Sequence, residues 1–222
     1  MSSCLVLFSG GQDSTTCLYW AKQNFNKVKA IGFDYGQKHE VELQVAHMIA
    51  DQAEVEFELV DLKGVFVGSS LVDHSQDVAA AHNINISLPS SFTAGRNAVF
   101  LSVAAGRAYQ GRISDLVTGV CQTDYSGYPD CRRNFIDSME QSLALALEKK
   151  IKIHTPLMYK TKAETWKLAK DLGCLSVVVE QSHTDYNGNR EQFNEWGYGS
   201  LDNPASELRA KGFYEARENG WI

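Results

Sequence analysis

The chain has little of what marks secreted or membrane proteins. Its 222 residues include four prolines and five cysteines, and no two cysteines form a Cys-x-x-Cys pair. Scattered cysteines in odd number are typical of reduced, structural thiols and not of a disulfide framework. No basic and then apolar leader opens the sequence, and no apolar run reaches the roughly 18 residues of a membrane helix. We therefore expect a cytoplasmic protein without a membrane partner.

The sequence also lacks an excess of positive charge. Lysine and arginine number 21 against 27 aspartates and glutamates, which gives a formal net charge of −6. This balance argues against a broad nucleic-acid surface, so no nucleic-acid partner is expected. With 44% hydrophobic and 22% charged residues, the chain has the composition of a globular protein. Its length predicts one α/β domain over residues 1–222.

The most informative stretch, which we call the anion loop, covers residues 8–15. A short apolar run ends at Ser9-Gly10-Gly11, and a pattern compatible with a helix follows. Two glycines allow several backbone N–H groups to converge, and a helix N-terminus adds further donors. Such an array predicts a phosphate or pyrophosphate site, although an ordinary turn capped by Asp13 or Ser14 is the alternative. The residues predicted to form the site are Phe8, Ser9, Gly10, Gly11, Gln12, Asp13, Ser14 and Thr15.

The rest of the chain alternates strands and helices. Apolar segments at 28–33, 55–60, 116–120 and 151–154 are predicted strands, and helical patterns lie between them. Right-handed crossovers make such strands parallel, so we predict a doubly wound, five-stranded sheet. Ligands of these sheets lie beyond the carboxyl ends of the strands. The anion loop and the segment from Asp34 to Gln37 should therefore face one crevice.

Three later features add chemistry. Arg96 follows Gly95 at the start of a predicted helix, where a cation opposes the dipole and favours a nearby anion. Residues 121–132 form the densest polar and aromatic stretch, at the end of a predicted strand. Thr161 and Glu164 have the spacing of a capping box. Residues 63–91 are long and irregular, as in a functional loop.

These segments together resemble the QueC family, which makes 7-cyano-7-deazaguanine for queuosine precursors. The likeness runs in family order over roughly the first 175 residues. The anion loop matches the Ser-Gly-Gly-x-Asp-Ser loop of PP-loop ATP pyrophosphatases, and lacks the patterns of Walker A and dinucleotide folds. The matching segments are residues 8–17, 33–37, 95–97, 118–120, 124–132, 155–157 and 162–166.

The resemblance implies a fold, a reaction and its cofactors. The fold is a Rossmann-like α/β sheet of the PP-loop (HUP) type. The family uses ATP, with Mg²⁺, to adenylate the carboxylate of 7-carboxy-7-deazaguanine. Ammonia then gives the amide, and a second step driven by ATP gives the nitrile. The enzyme would thus be an ATP-dependent ligase that forms a carbon–nitrogen bond.

The resemblance also implies roles for particular residues. A flat base could stack on Tyr125 or Tyr128, and Asp130 could accept hydrogen bonds from a guanine edge. Two plainer readings stay open: residues 128–130 as a simple turn, and Arg132 as half of a surface ion pair. The predicted catalytic residues are Asp13, Ser14, Arg96 and Lys162. Nucleotide contacts beyond the anion loop are assigned to Asp34, Gly95 and Gly119. Base and carboxylate contacts are assigned to Gln37, Arg96, Asn97, Tyr125, Tyr128, Pro129, Asp130 and Arg132.

The C-terminal segment, residues 174–222, departs from the family. Family members carry four zinc cysteines there, and alignment on Leu208-Arg209 gives this chain Asp185, Ser200, Asn203 and Ser206 instead. These residues include no soft ligand, so we expect no structural zinc, and we assign no residue of the chain as a metal ligand. Direct apolar packing is the expected replacement. The residues expected to supply it are Trp196, Tyr198, Leu201, Leu208, Phe213, Tyr214 and Trp221.

Three functions stay open at this point. One is QueC activity with ammonia as the acceptor. The second follows a resemblance to QueC-like proteins of CBASS-type antiphage operons, in which the activated deazaguanine would be joined to an amine of a partner protein. The third is a nucleotide-binding module without catalysis. Family members are often homodimers, and the sequence leaves the assembly of this chain open.

Overall fold

A computed structural model describes residues 2–37, 41–72, 88–123, 127–185 and 188–222. Tyr125, a predicted substrate contact, lies outside the described residues. The strands are β1 (Ser3–Leu7), β2 (Lys27–Asp34), β3 (Glu56–Asp61), β4 (Asp115–Val117), β5 (Lys152–His154), β6 (Phe193–Asn194) and β7 (Gly197–Tyr198). The helices are α1 (Gln12–Asn24), α2 (Val41–Gln52), α3 (Arg96–Gln110), α4 (Arg133–Ala146), α5 (Lys162–Asp171), α6 (Leu175–Glu180) and α7 (Pro204–Glu218).

Strands β1 to β5 form one parallel sheet in the order β3-β2-β1-β4-β5. The prediction of a doubly wound, five-stranded parallel sheet is confirmed. The strand order reverses between β1 and β4, so the chain leaves these two neighbouring strands toward opposite sides. The loops that follow them separate and leave a crevice at that point, where ligands of such sheets bind.

Helices cover both faces of the sheet. One face packs against α1 and α2 around Leu18 and Ile49, and the other packs against α3 and α4 around Leu101 and Ile136. The central strand β1 is buried on both sides and reads as a continuous apolar run, as parallel strands do. These two layers fix the direction in which the carboxyl end of β1 points.

The fourth and fifth strands are shorter than the sequence pattern indicates. Their predicted ranges are 116–120 and 151–154, whereas β4 covers Asp115–Val117 and β5 covers Lys152–His154. Residues 118–120 instead run along the crevice, where Gly119 lies against the first turn of α1.

The capping box at Thr161 and Glu164 forms as predicted, with both reciprocal hydrogen bonds present.

The C-terminal segment folds onto α5. Trp166, Trp196 and Phe213 form the centre of a third apolar cluster. The expectation of purely apolar packing is wrong in part, since Leu201 is 61% and Tyr214 44% exposed. Within the described ranges, every helix falls short of the length and hydropathy that crossing a bilayer requires.

Candidate active site

The anion loop connects β1 to α1 at the reversal of strand order. Gly11 is the N-cap of α1, and no side chain caps this end of the helix. The Ser9 and Ser14 hydroxyls lie 3.2 Å apart, and Ser14 Oγ also accepts the Ser9 backbone N–H. The first-turn N–H groups of Asp13 and Ser14 have no acceptor among the described residues. A helix N-terminus with free N–H donors is suited to a phosphate group.

Two glycines of the site cannot be replaced without movement of the backbone. Gly10 has φ of +78°, and a Cβ there would lie 2.8 Å from the backbone nitrogen of Ala46 in α2. A Cβ at Gly119 would lie 3.2 Å from the Asp13 carbonyl carbon and 3.3 Å from the Ser14 nitrogen. Gly10 therefore requires glycine, whereas a side chain at Gly119 would need only a small shift of the first turn of α1.

A lysine from a distant part of the chain joins the anion loop. Lys162 is the first residue of α5, and its Nζ lies 2.9 and 3.1 Å from the two carboxylate oxygens of Asp13. Both side chains are more than two-thirds buried. The structure places Asp13 and Lys162 in contact. Their catalytic roles stay predictions.

Arg96 approaches the same space from the opposite wall. It is the first residue of α3, and its guanidinium lies over the ring of Tyr35 and within 3.5 Å of the Tyr35 hydroxyl. Glu42 of α2 also lines the cavity and lies beside the anion loop, since its backbone oxygen is 3.1 Å from the position of a Cβ at Gly10. Burial raises the pKa of the Glu42 carboxyl to about 7, while the charge of Arg96 opposes this increase. The site therefore contains an acid that changes its charge near neutral pH.

The loop after β4 is fastened to the start of α3. Asp130 Oδ2 accepts the backbone N–H of Asn97 at 3.0 Å, and the Asn97 amide donates back to the Asp130 carbonyl at 3.3 Å. The Tyr128 hydroxyl lies 2.8 Å from Ser91 Oγ. Asp130 thus neutralises a helix N-terminus, a structural use of the carboxylate that its sequence position alone did not indicate.

All these walls enclose one cavity of about 1020 Å³. This volume lies at the upper end of small-molecule sites, so it suffices for a nucleotide and a second flat ligand. The predicted residues that line it are Phe8, Ser9, Gly11, Gln12, Asp13, Ser14, Gln37, Arg96, Asn97, Gly119, Tyr128 and Lys162.

Other predicted residues lie outside the lining. Asp34 forms an ion pair with Lys63 at 2.7 Å, and the exposed Arg132 donates to the Gly127 carbonyl. Their predicted ligand contacts stay predictions that would require movement of these side chains. The predicted residues outside the lining are Gly10, Thr15, Asp34, Gly95, Pro129, Asp130 and Arg132.

The sequence reasoning missed one complete wall. Residues of the C-terminal segment line the cavity opposite the sheet, and they come from the 182–185 stretch and from the first turns of α7. Their sequence positions, far from the anion loop and without a glycine-rich or charged motif, gave no signal. The lining residues of this segment are His183, Thr184, Pro204, Ala205, Glu207, Leu208 and Lys211, and other lining residues that were not predicted include Tyr35, Glu42, Ser91, Phe100 and Cys121.

The four positions that carry zinc cysteines in the family do meet in space, but they do not fit zinc. Asp185 Oδ2 accepts from Ser200 N at 2.8 Å and from Ser200 Oγ at 3.0 Å, and Oδ1 accepts from Asn203 Nδ2 at 2.9 Å. Asn203 Oδ1 in turn accepts the Ser206 backbone N–H. The side chains of Asp185, Ser200 and Asn203 are joined at hydrogen-bond distances, the buried Ser206 hydroxyl takes no part, and neither thiolate nor imidazole is among the four side chains. A polar network thus occupies this position.

The switch-point loop, the parallel sheet and the Asp13–Lys162 contact define the class of protein as a PP-loop ATP pyrophosphatase. Solved structures agree on the fold alone. A 4-thiouridine synthetase, solved with RNA and bound ATP, superposes with a TM-score of 0.53 at 14% identity, over 96% of this chain and 53% of that chain. A predicted tRNA methyltransferase subunit from Methanocaldococcus jannaschii gives 0.51 at 19% identity, over 77% and 75%.

Sequence comparison then gives the family. The family model described as "Queuosine biosynthesis protein QueC" matches residues 3–217. A Wolinella succinogenes protein named 7-cyano-7-deazaguanine synthase is 44% identical over 220 residues, which cover 96% of this chain and 93% of the relative. A Caulobacter vibrioides protein of the same name is 42% identical over 228 residues, with 96% and 93% covered. The chain belongs to the QueC family.

Proposed function

We propose that this protein uses ATP to adenylate the carboxylate of 7-carboxy-7-deazaguanine and then converts the acyl group to an amide. The observation that carries the proposal is the single cavity in which the anion loop, the Asp13–Lys162 pair and Arg96 face one another. Family relatives named 7-cyano-7-deazaguanine synthase support the substrate class.

Adenylation releases pyrophosphate as the leaving group, and the site must stabilise its charge as it departs. The carboxylate oxygen attacks the α-phosphorus of ATP, and the bond to pyrophosphate breaks. Free N–H groups of Asp13 and Ser14 would hold the departing pyrophosphate, since donors fixed in advance stabilise charge that develops in the transition state. Lys162 Nζ is placed to neutralise the phosphate oxygens at the point of attack.

The chemistry of the donor set also fits a divalent cation. Mg²⁺ prefers carboxylate oxygens together with substrate phosphates, and Asp13 supplies a carboxylate directly beside the helix N-terminus. The ion, when bound with ATP, would offset the negative charge of the polyphosphate. Lys162 would then lose its contact with the Asp13 carboxylate and contact a phosphate oxygen instead.

The opposite half of the cavity suits a flat base that carries an acid. Tyr35, Phe100 and the buried Tyr128 provide aromatic surface, and Arg96 provides a cation for the substrate carboxylate. The carboxylate of the substrate would point from the base toward the nucleotide and so join the two halves of the cavity. This arrangement would place the acid of the base against the α-phosphate of the nucleotide.

Amide formation follows when an amine nitrogen attacks the acyl carbon, AMP leaves with its oxygen, and the nitrogen loses a proton. Dehydration of the amide to the nitrile would require a second ATP. A second candidate acceptor is an amine of a partner protein, and the observation that favours it is the rebuilt wall: Ala205, Glu207 and Lys211 of α7 line the cavity. The altered segment thus lines the cavity in which the acceptor would react.

The test is incubation of the purified protein with ATP, Mg²⁺, 7-carboxy-7-deazaguanine and ammonium, with AMP, pyrophosphate and the base products resolved by mass. AMP with amide supports the proposal, and further conversion to the nitrile places the protein with its named relatives. AMP formation that depends on an added protein amine supports conjugation. Absence of both AMP and pyrophosphate, with the relative from Wolinella succinogenes active in parallel, would show a nucleotide-binding module without catalysis.

A further inference from the structure

Arg209 of α7 is a completely buried cation, with 0% of its surface exposed. Its Nε donates to the Trp196 carbonyl at 3.0 Å, Nη2 to the Val178 carbonyl at 2.8 Å and Nη1 to Ser182 Oγ at 2.9 Å. Across the described ranges, no carboxylate forms an ion pair with it. Burial lowers the pKa of Arg209 to about 9, and the negative charge of Asp13 opposes that decrease. The guanidinium therefore keeps its charge at neutral pH.

A further donor contact connects this cation to the anion loop. Arg209 Nη1 donates to Thr184 Oγ1 at 2.9 Å, and the same oxygen accepts the backbone N–H of Gln12 at 3.5 Å. The neighbouring backbone N–H of His183 donates to the Gly10 carbonyl at 3.1 Å. Residues 182–184 thus lie between Arg209 and the loop, and they contact both.

The close fit of these elements leaves little room for the segment to shift. A Cβ at Gly11 would lie 3.3 Å from the His183 carbonyl oxygen, and one at Gly197 would lie 2.5 Å from Arg209 Nη2. The Trp166 indole also donates to the Arg209 carbonyl at 3.1 Å, which fixes α7 to α5. Movement of Arg209 would therefore be passed to residues 182–184, which contact both Arg209 and the loop.

We propose that Arg209 is a positioning residue for the anion loop, acting through Thr184 to hold the first turn of α1 where it receives the triphosphate of ATP. The identity of the ligand rests on the proposed function, whereas the positioning of the loop does not. The plainer role, in which Arg209 only stabilises the C-terminal segment, predicts an unaltered loop in any variant that folds.

The experiment compares Thr184→Val, Arg209→Lys and the double variant with the wild type. Thr184→Val keeps the shape of the side chain and removes the shared oxygen, so we expect the Kd for ATP to increase about fivefold, the size of one hydrogen bond. Arg209→Lys keeps the charge but loses the planar fork, and the expected increase is about tenfold or more. The double variant should resemble Arg209→Lys alone, because both changes break one connection.

Arg217→Lys is the matched control, since this exposed arginine lies two turns further along α7 and pairs with Glu195. Hydrogen exchange of residues 8–15 gives a readout that needs no ligand. We expect both single variants to exchange faster than the wild type in this loop, and the Arg217→Lys control to exchange at the wild-type rate. Unchanged loop exchange and unchanged ATP affinity in a folded Thr184→Val variant would overturn the inference. If the wild type binds no adenine nucleotide, the proposed function fails, and loop exchange still decides the role of Arg209.

Discussion

Lys162 Nζ lies 2.9 Å from Asp13 Oδ2, although the two residues are 149 positions apart in the sequence. The contact joins the first residue of α5 to the first turn of α1 and places a cation and a carboxylate at the mouth of the anion loop. Each group alone is an ordinary surface residue type. Together, beside free backbone donors, they form the site at which we propose that a polyphosphate and its counter-ion bind.

Replacement of Lys162 by methionine should slow the first chemical step. The variant retains the length of the side chain but loses the charge that would stabilise the transition state, so we expect kcat for AMP formation to fall about 100-fold or more. Lys167→Met is the control, because Lys167 lies on the same helix and pairs with Asp171 at the surface. A Lys162→Met enzyme with the wild-type kcat would contradict a role for this lysine in adenylation.

Glu42 should make nucleotide binding depend on pH. Its pKa is raised to about 7, so the carboxyl gains negative charge as the pH rises through that value and then repels the triphosphate. We expect KM for ATP to increase between pH 6 and 8 by more in the wild type than in Glu42→Gln. Titration of ATP itself affects both proteins equally, so the difference isolates Glu42.

The same group should affect stability with a definite sign. A carboxyl whose pKa is higher in the folded than in the unfolded state binds more protons when folded, so stability decreases as the pH rises from about 4.5 to about 7. Glu42→Gln should therefore raise the melting temperature at pH 8 and change it little at pH 4. Glu58→Gln, at an exposed pair with Arg107, serves as the control. Equal effects at both pH values would show that Glu42 does not titrate in this range.

The polar network at Asp185 should replace a metal in holding the C-terminal segment. Asp185→Ala leaves the Ser200 backbone N–H without its acceptor and removes one of the two acceptors that Ser200 Oγ and Asn203 Nδ2 share with Asp202, at a cost of about 1–3 kcal/mol in the free energy of unfolding. Asp171→Ala, at an exposed pair, should cost less than about 1 kcal/mol. Chemical denaturation measures both, and addition of a strong chelator should leave the wild-type curve unchanged. A chelator-induced loss of stability, or one zinc per purified chain, would contradict the network's role.

Gly10 should tolerate no side chain. Gly10→Ala adds a Cβ 2.8 Å from the backbone of α2 at a residue with φ of +78°. We expect about 1–2 kcal/mol from the left-handed backbone and about 1–3 kcal/mol from overpacking, together with loss of ATP binding. Gly64→Ala has a similar φ of +80° but open space around it, so only the backbone cost should appear. Equal destabilisation of the two variants would show that contact with α2 is unimportant.

The sequence by itself determined the nucleotide half of the protein. Apolar runs of strand length, a glycine-rich turn and a following helix are local patterns, and parallel connection rules convert them into a sheet order with a crevice. The anion loop, the position of Arg96 at a helix start and the capping box of α5 were therefore predictable. Each depends on residues within a few positions of one another.

The tertiary structure alone decided the rest. Asp130 accepts a hydrogen bond from the first turn of α3, Arg209 lies buried with no carboxylate partner among the residues the structure describes, and the C-terminal segment forms a wall of the cavity. These features depend on contacts between residues far apart in the chain. Whether a polar side chain faces a ligand, caps a helix or satisfies a neighbour is determined by what surrounds it after folding, because a buried polar group must find a partner wherever the packing provides one.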